Sequence, residues 1–159
     1  MLVITPDAHG AIVAHAIAGL PNEACGLVGT RNGVADVFIA VANAAESATR
    51  FVLEPVEMLD AEAQLHESGR EVVAVMHSHV DTSAYPSPTD FADAQRYDPD
   101  ATLLHVIVSL RHTEPALRCY SLAGGQITEV PIELATDEPI VDDGEGPAAA
   151  VARLPQPPQ

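Results

Sequence analysis

Residues 71–79 read EVVAVMHSH, an apolar run that ends on two imidazoles one residue apart. No other stretch constrains the fold as much. Val72 to Met76 show no polar alternation, so both faces of the segment must be covered. That pattern predicts a central strand with helices packed on a mixed sheet. A strand that stops on histidines either surfaces there or delivers ligands. Alternate strand residues share a face, so His77 and His79 turn their rings to one side.

The rest of the chain supplies partners for such a strand. TPDAHGAIVAHAIAG reads as a helix with Thr5 as N-cap, Pro6 at the first helical position and Gly19 as a left-handed C-terminal stop. Its expected buried stripe is Ile12, Val13, Ala16 and Ile17. EACGLVGT is a small-residue strand with Glu23 at its start, and VADVFIAVANA and TRFVLE read as further strands. EPVEMLDAEAQLHESG predicts a second helix, with Met58, Leu59, Ala61 and Leu65 on its buried face and Gly69 closing it. SPTDFADAQRY is a short third helix. TLLHVIVSL, ALRCYSL and QITEVPIEL complete the strands, the last two joined by Ala-Gly-Gly as in a hairpin. Helices and strands alternate irregularly, which places the fold in the α/β or α+β class. Residues 1–134 form the expected domain. Residues 135–159 are acidic, then Pro-rich and without periodicity, and read as a disordered tail.

Charge and cysteine content exclude several functions. Seven basic residues, all arginine, face 23 acidic ones for a formal charge of −16. A phosphate backbone would be repelled, so neither nucleic acid nor a polybasic membrane anchor is expected. Cys25 and Cys119 are isolated, no apolar run reaches the roughly 20 residues of a membrane span, and the first ten residues lack signal-peptide character. A cytoplasmic protein is the expectation.

Two histidines do not make a metal site, because a catalytic zinc usually has three protein ligands and a water. The third candidate is Asp90. Seven residues separate His79 from Ser87, and two separate Ser87 from Asp90. Ser87-Pro88-Thr89-Asp90 is also an ordinary helix start, with Ser as cap and an acid at the third position. Capping and ligation are compatible, since a cap would hold both side chains in place.

H-S-H, seven residues, Ser, two residues, Asp resembles the JAMM motif of the MPN+ metalloproteases. The small-residue context PNEACGLVG supplies a Glu at the position that family places well upstream, 54 residues before His77. The resemblance extends to the order of elements over nearly the whole chain before the tail. Ser78 replaces the commoner Thr between the histidines, which stays within the family's range. The resemblance implies a curved mixed β-sheet flanked by helices, the MPN/JAMM fold, similar to that of cytidine deaminases. It implies one zinc ion with a bound water, held by His77, His79 and Asp90. Glu23 is then general base and acid, and Ser87 stabilises the oxyanion. JAMM enzymes cut after the C-terminal Gly-Gly of ubiquitin-like proteins. The compact length and the loop stretches VANAAESATRFVLEP and DTSAYPSPTD are similar to those of the bacterial (Mec-type) sulfur-carrier–cysteine peptidases. The expected partner is therefore a small ubiquitin-like sulfur carrier ending in Gly-Gly, and the expected product is cysteine. Cleavage of lysine isopeptides is the alternative, and a non-catalytic MPN scaffold is the alternative of another class.

Other hydrolase signatures fail. HESGR at His66 lacks the second His of H-E-x-x-H, and no P-C-x-x-C, G-x-S-x-G or P-loop occurs. Cys25 is expected to be a small buried hydrophobe, with a thiol near the metal as its alternative. His105 is expected in the core or on a sheet face, and His9, His15, His66 and His112 in solvent. Tyr85 and Pro86 either shape a loop over the site or form an ordinary turn. Oligomeric state is not legible.

Overall fold

The computed structural model describes residues 1–136. The expected tail, 135–159, lies outside the described residues from 137 onward. Eight strands form one sheet, and three helices lie against it. In chain order they are β1 (Leu2–Ile4), α1 (Pro6–Ala18), β2 (Cys25–Arg31), β3 (Val34–Val41), α2 (Pro55–Glu67) and β4 (Glu71–His79). Then follow α3 (Pro88–Tyr97), β5 (Leu104–Ser109), β6 (Ala116–Ser121), β7 (Thr128–Val130) and β8 (Ile132–Leu134). The sheet order is β7-β6-β5-β4-β2-β3-β1-β8. β4 is central, as its unbroken apolar run requires: β2 pairs with it antiparallel and β5 parallel. The mixed α+β class and curved sheet are borne out.

The curvature has a local cause. QITEVPIEL, expected as one strand, is two. Pro131 has no N–H to donate, and the run breaks there into β7 and β8. These two strands occupy opposite ends of the sheet order yet are one residue apart. The sheet must therefore curl until its edges meet. The Pro131 carbonyl takes the Leu2 N–H at 2.8 Å, and the Ala135 N–H reaches the Ile4 carbonyl at 2.8 Å.

Residues of β4 divide between two cores. Ala74 and Met76 join Ile4, Ala8, Ile12, Val28, Val106 and Val108 under α1. Val75 joins Cys25, Leu27, Val41, Phe51, Ala61 and Leu65 under α2. His77 and His79 follow Val75 in alternation, so they emerge on the α2 side. The helix stripes are narrower than expected. Ala8, Ile12 and Ala16 are buried on α1, while Ile17 is 50% exposed; on α2 Leu59 is 62% exposed. The curled sheet contacts only the innermost ridge of each helix. Gly19 is right-handed rather than left-handed, at φ −77°. TRFVLE is not a strand: only Leu53 forms a bridge, to Asn43. No helix among the described residues is long and apolar enough to cross a membrane.

β2 lies between β4 and β3 and is tight against β3 at Gly26. A Cβ on Gly26 would collide with the Ile39 carbonyl and the Phe38 ring. Gly26→Ala should therefore cost about 1–3 kcal/mol, read as a lower midpoint in denaturant unfolding.

Candidate metal centre and active site

β4 ends on His77 and His79, both nearly inaccessible. After the loop of residues 80–87, α3 opens with Ser87 as N-cap. The Ser87 Oγ accepts the Asp90 N–H at 3.0 Å, and the Asp90 Oδ2 accepts the Ser87 N–H at 2.9 Å. This reciprocal capping box points Asp90 back over the strand end. The same Oδ2 lies 3.1 Å from His77 Nε2 and 3.0 Å from His79 Nε2, and the two nitrogens are 3.0 Å apart. Three donor atoms from two elements thus form a nearly equilateral triangle.

That triangle fits a metal ion. Arms of 2.0–2.1 Å in a tetrahedron give ligand–ligand edges of about 3.3 Å, close to what is seen. Two imidazole nitrogens and a carboxylate are a donor set zinc accepts. Among the described residues this is the one group of His, Cys, Asp or Glu side chains close enough to share an ion. The protonation pattern also fits. His79 Nδ1 lies 2.7 Å from the Ser83 carbonyl, which can only accept, so Nδ1 carries the proton and Nε2 presents its lone pair. Burial dominates at His77 and lowers its pKa, which keeps the ring neutral. Asp90 is opposed by burial, but hydrogen bonds with both histidines hold its carboxyl well below the usual range. It is an anion at any ordinary pH.

The loop that carries Ser83 is pinned at the residues before and after that serine. Ser109 Oγ donates to the Thr82 carbonyl at 2.5 Å, the Tyr120 hydroxyl donates to the Ala84 carbonyl, and Ala84 is buried. Tyr85, by contrast, is half exposed and stands edge-on to Tyr120. The ring of His77 is held differently. Phe51 stacks on it with centroids 4.3 Å apart and planes 17° apart, while its Nδ1 has no hydrogen-bond partner.

Glu23 reaches the site through strand register. Cys25 is opposite His77 in the β2–β4 ladder. Ser78 extends the ladder by one pair: its N–H donates to the Ala24 carbonyl at 2.9 Å, and its Oγ accepts the Ala24 N–H at 2.7 Å. Continuing that register sets Glu23 opposite His79. The Glu23 side chain is 5% exposed, and its Oε1 has no partner. Desolvation pushes its carboxyl up to about 7, with His79 opposing and Asp90 reinforcing the shift. A base poised there can both take and return a proton near neutrality.

All five residues singled out by the sequence motif therefore lie at one end of β4 or in the elements beside it. Ser78 and Phe51 were not singled out. Ser78 was visible only as the spacer between two histidines, and nothing local to Phe51 marks it. Cys25 is buried on the same face as His77, but its thiol donates to the Val41 carbonyl at 3.3 Å and burial pushes its pKa up to about 12. It is a small core side chain. His15 departs from expectation: it is half buried, with Nε2 3.1 Å from the Cys25 carbonyl and its ring against Phe38.

His105, expected in the core or on a sheet face, is 4% exposed on β5. Burial, aided by His77, lowers its pKa from 6.5 to about 4. The folded state thus refuses a proton that the unfolded chain accepts. Its contribution to stability is full above about pH 6.5 and is lost as pH falls toward 4, about 3 kcal/mol at most. Urea unfolding across that window should show the loss, and His105→Phe should flatten it relative to the parent.

Comparison with known proteins agrees with this geometry. The family described as prokaryotic homologs of the JAB domain matches residues 5–122. A CysO-cysteine peptidase of Mycobacterium tuberculosis is 36% identical over 137 residues, covering 84% of this chain and 91% of that protein. A desampylase of Pyrococcus furiosus is 29% identical over 96 residues, covering 60% and 68%. Among solved structures, a Desulfitobacterium hafniense protein superposes with a TM-score of 0.76 at 29% identity, over 86% of this chain and 94% of the other. A structure described as a JAMM metalloprotease-like zinc site superposes at 0.55 with 21% identity, over 86% and 99%, and shares the fold. The chain belongs to the prokaryotic JAB family, the JAMM/MPN class of peptidases. The resemblance read from the motif holds at the level of family, fold and enzyme class.

Proposed function

We propose that this protein is a zinc peptidase that hydrolyses the amide bond after the C-terminal Gly-Gly of a small ubiquitin-like sulfur carrier and releases cysteine. The observation that carries the reading is the 3.0–3.1 Å triangle of His77, His79 and Asp90 beside the buried Glu23, whose Oε1 has no hydrogen-bond partner. The CysO-cysteine peptidase relative, matched over most of both chains, supplies the substrate class.

His77, His79 and Asp90 would hold the ion. Once bound there, zinc supplies Lewis acidity that lowers the pKa of a water and polarises a carbonyl. The chain's own residues do the rest. Glu23 accepts the proton of the attacking water at its carboxylate and passes it to the nitrogen of the departing amine. The Ser87 hydroxyl accepts the Asp90 N–H at its oxygen, and its proton, which makes no hydrogen bond among the described residues, can donate to the carbonyl oxygen as charge develops. The strand, cap and loop hydrogen bonds fix these groups before substrate arrives, so little reorganisation is needed at the reacting centre. A groove of about 330 Å³ opens beside the Phe51 ring, with Leu53, Met58 and Tyr97 in its lining. An extended Gly-Gly tail has almost no side chains and suits such a groove.

The test offers the purified protein two substrates: a Gly-Gly-terminated sulfur carrier amide-linked to cysteine, and a lysine isopeptide conjugate of the same carrier. Cleavage of the first, lost with a chelator and restored by zinc, is expected. The desampylase relative keeps the isopeptide reading as the alternative. Equal or exclusive cleavage of the isopeptide would replace the proposal with it. Inactivity on both after zinc loading would favour a scaffold.

A further inference from the structure

Asn43 follows β3 and is not a member of the motif, yet its side chain is fully used. Nδ2 donates to the Glu23 carbonyl at 3.0 Å and to the Arg50 carbonyl at 3.0 Å. Oδ1 accepts the Ala45 N–H at 3.0 Å and the Val52 N–H at 2.9 Å. A primary amide offers two donors and two acceptor sites, and here all four are satisfied. Both Oδ1 partners are N–H groups and both Nδ2 partners are carbonyls, so only one orientation of the amide is compatible with the network.

The four bonds join two functional segments that are far apart in sequence. One is the backbone of Glu23, whose N–H donates to the Ser47 carbonyl at 2.8 Å and whose neighbour Ala24 is held by Ser78. The other is the extended segment from Arg50 to Val52, bonded on both sides of Phe51. The Phe51 ring is the flat surface behind His77, whose Nδ1 has no hydrogen bond to fix the ring's rotation. In many metal sites a carboxylate or carbonyl on the second imidazole nitrogen fixes that rotation. For His79 the Ser83 carbonyl does so. For His77 the stacked Phe51 ring takes that place, beside the edge of the His79 ring, and Phe51 is positioned by the bonds of its two neighbours to Asn43.

We propose that Asn43 is a positioning residue of the reaction: its amide sets the Glu23 backbone and the Phe51 ring behind His77 in one fixed relation. The proposal rests on Glu23 and His77 having the base and ligand roles given above. No other residue type can replace it fully. Asp keeps the two acceptor bonds but turns a carboxylate oxygen toward two carbonyls. Ser is too short, and Gln adds a methylene that displaces the amide.

The test measures zinc affinity by competition with a chromogenic chelator, and kcat and KM on the carrier–cysteine conjugate. Asn43→Ala is expected to weaken zinc binding about 10-fold and lower kcat about 10- to 100-fold, with KM changed less than about 3-fold. A folded variant with a lower Tm but zinc affinity and kcat within about 2-fold of the parent overturns the proposal, because a merely structural Asn would behave that way. Should Asn43→Ala fail to fold, Asn43→Asp takes its place, since it retains the bonds to Ala45 and Val52. Phe51→Leu removes the ring while sparing every Asn43 bond, and should reproduce the weakened zinc binding. Parental zinc affinity in that variant removes the His77 arm of the proposal. A parent that binds zinc but cleaves no conjugate would defeat the proposed substrate, while the zinc measurements would still decide the role of Asn43.

Discussion

Glu23→Gln is expected to lower kcat on the carrier–cysteine conjugate by about 10³-fold while zinc affinity stays within about 3-fold of the parent. The amide has nearly the shape of the carboxylate, so packing at this buried position should survive. It cannot accept a proton, and the step that needs a base loses it. The unpartnered Oε1 makes the substitution cleaner, because no hydrogen bond in the structure is lost at that oxygen. Steady-state kinetics with chelator competition on the same preparation separates the two effects. Retention of a tenth or more of the parental kcat would remove Glu23 from the role of base. A parallel fall in zinc affinity would mean that it supports the ion instead.

The second large effect is expected at Asp90, where two jobs fall on one oxygen. Oδ2 accepts the Ser87 N–H and completes the triangle with His77 and His79. Asp90→Ala should abolish measurable activity, weaken zinc binding by 10²-fold or more, and cost about 1 kcal/mol from the lost cap. Asp90→Asn retains an oxygen for the cap but not the charge, so zinc binding should fall while stability is largely kept. Ser87→Ala gives the complementary pattern. The cap weakens by a similar amount and kcat falls about 10²-fold through the lost oxyanion donor, but zinc affinity holds. Isothermal titration with zinc, thermal unfolding of the metal-free proteins and turnover on the conjugate give three readouts for three variants. Equal zinc affinity in Asp90→Asn and the parent would remove Asp90 from the ligand set.

Much of this site is legible in the sequence. His77 and His79 share a face because strand residues alternate, and Ser87 and Asp90 cap a helix because of their spacing around Pro88. Both are short-range rules that a few residues obey wherever they occur. The elements that failed to follow expectation did so for non-local reasons. QITEVPIEL carries the alternation of a strand, but Pro131 splits it and the two halves serve opposite edges of one curled sheet. Ile17 and Leu59 sit at helical spacing for burial, yet a curled sheet touches too little of each helix to cover them. TRFVLE has strand composition, but its backbone bonds go to Asn43 and its neighbours rather than to a ladder.

By itself the sequence determined the central strand, the pair of imidazoles at its end, the capped carboxylate after the loop, and through them the family. Those features depend on the backbone geometry of a few consecutive residues. Tertiary structure decided what stands across from them. The β2–β4 register, extended by the two bonds between Ser78 and Ala24, brings Glu23 across from His79 over 56 residues of chain. A single side chain, Asn43, ties that same segment to the ring behind His77. Such contacts carry no periodicity and no spacing rule. They exist only once the sheet has curled and its partners have met.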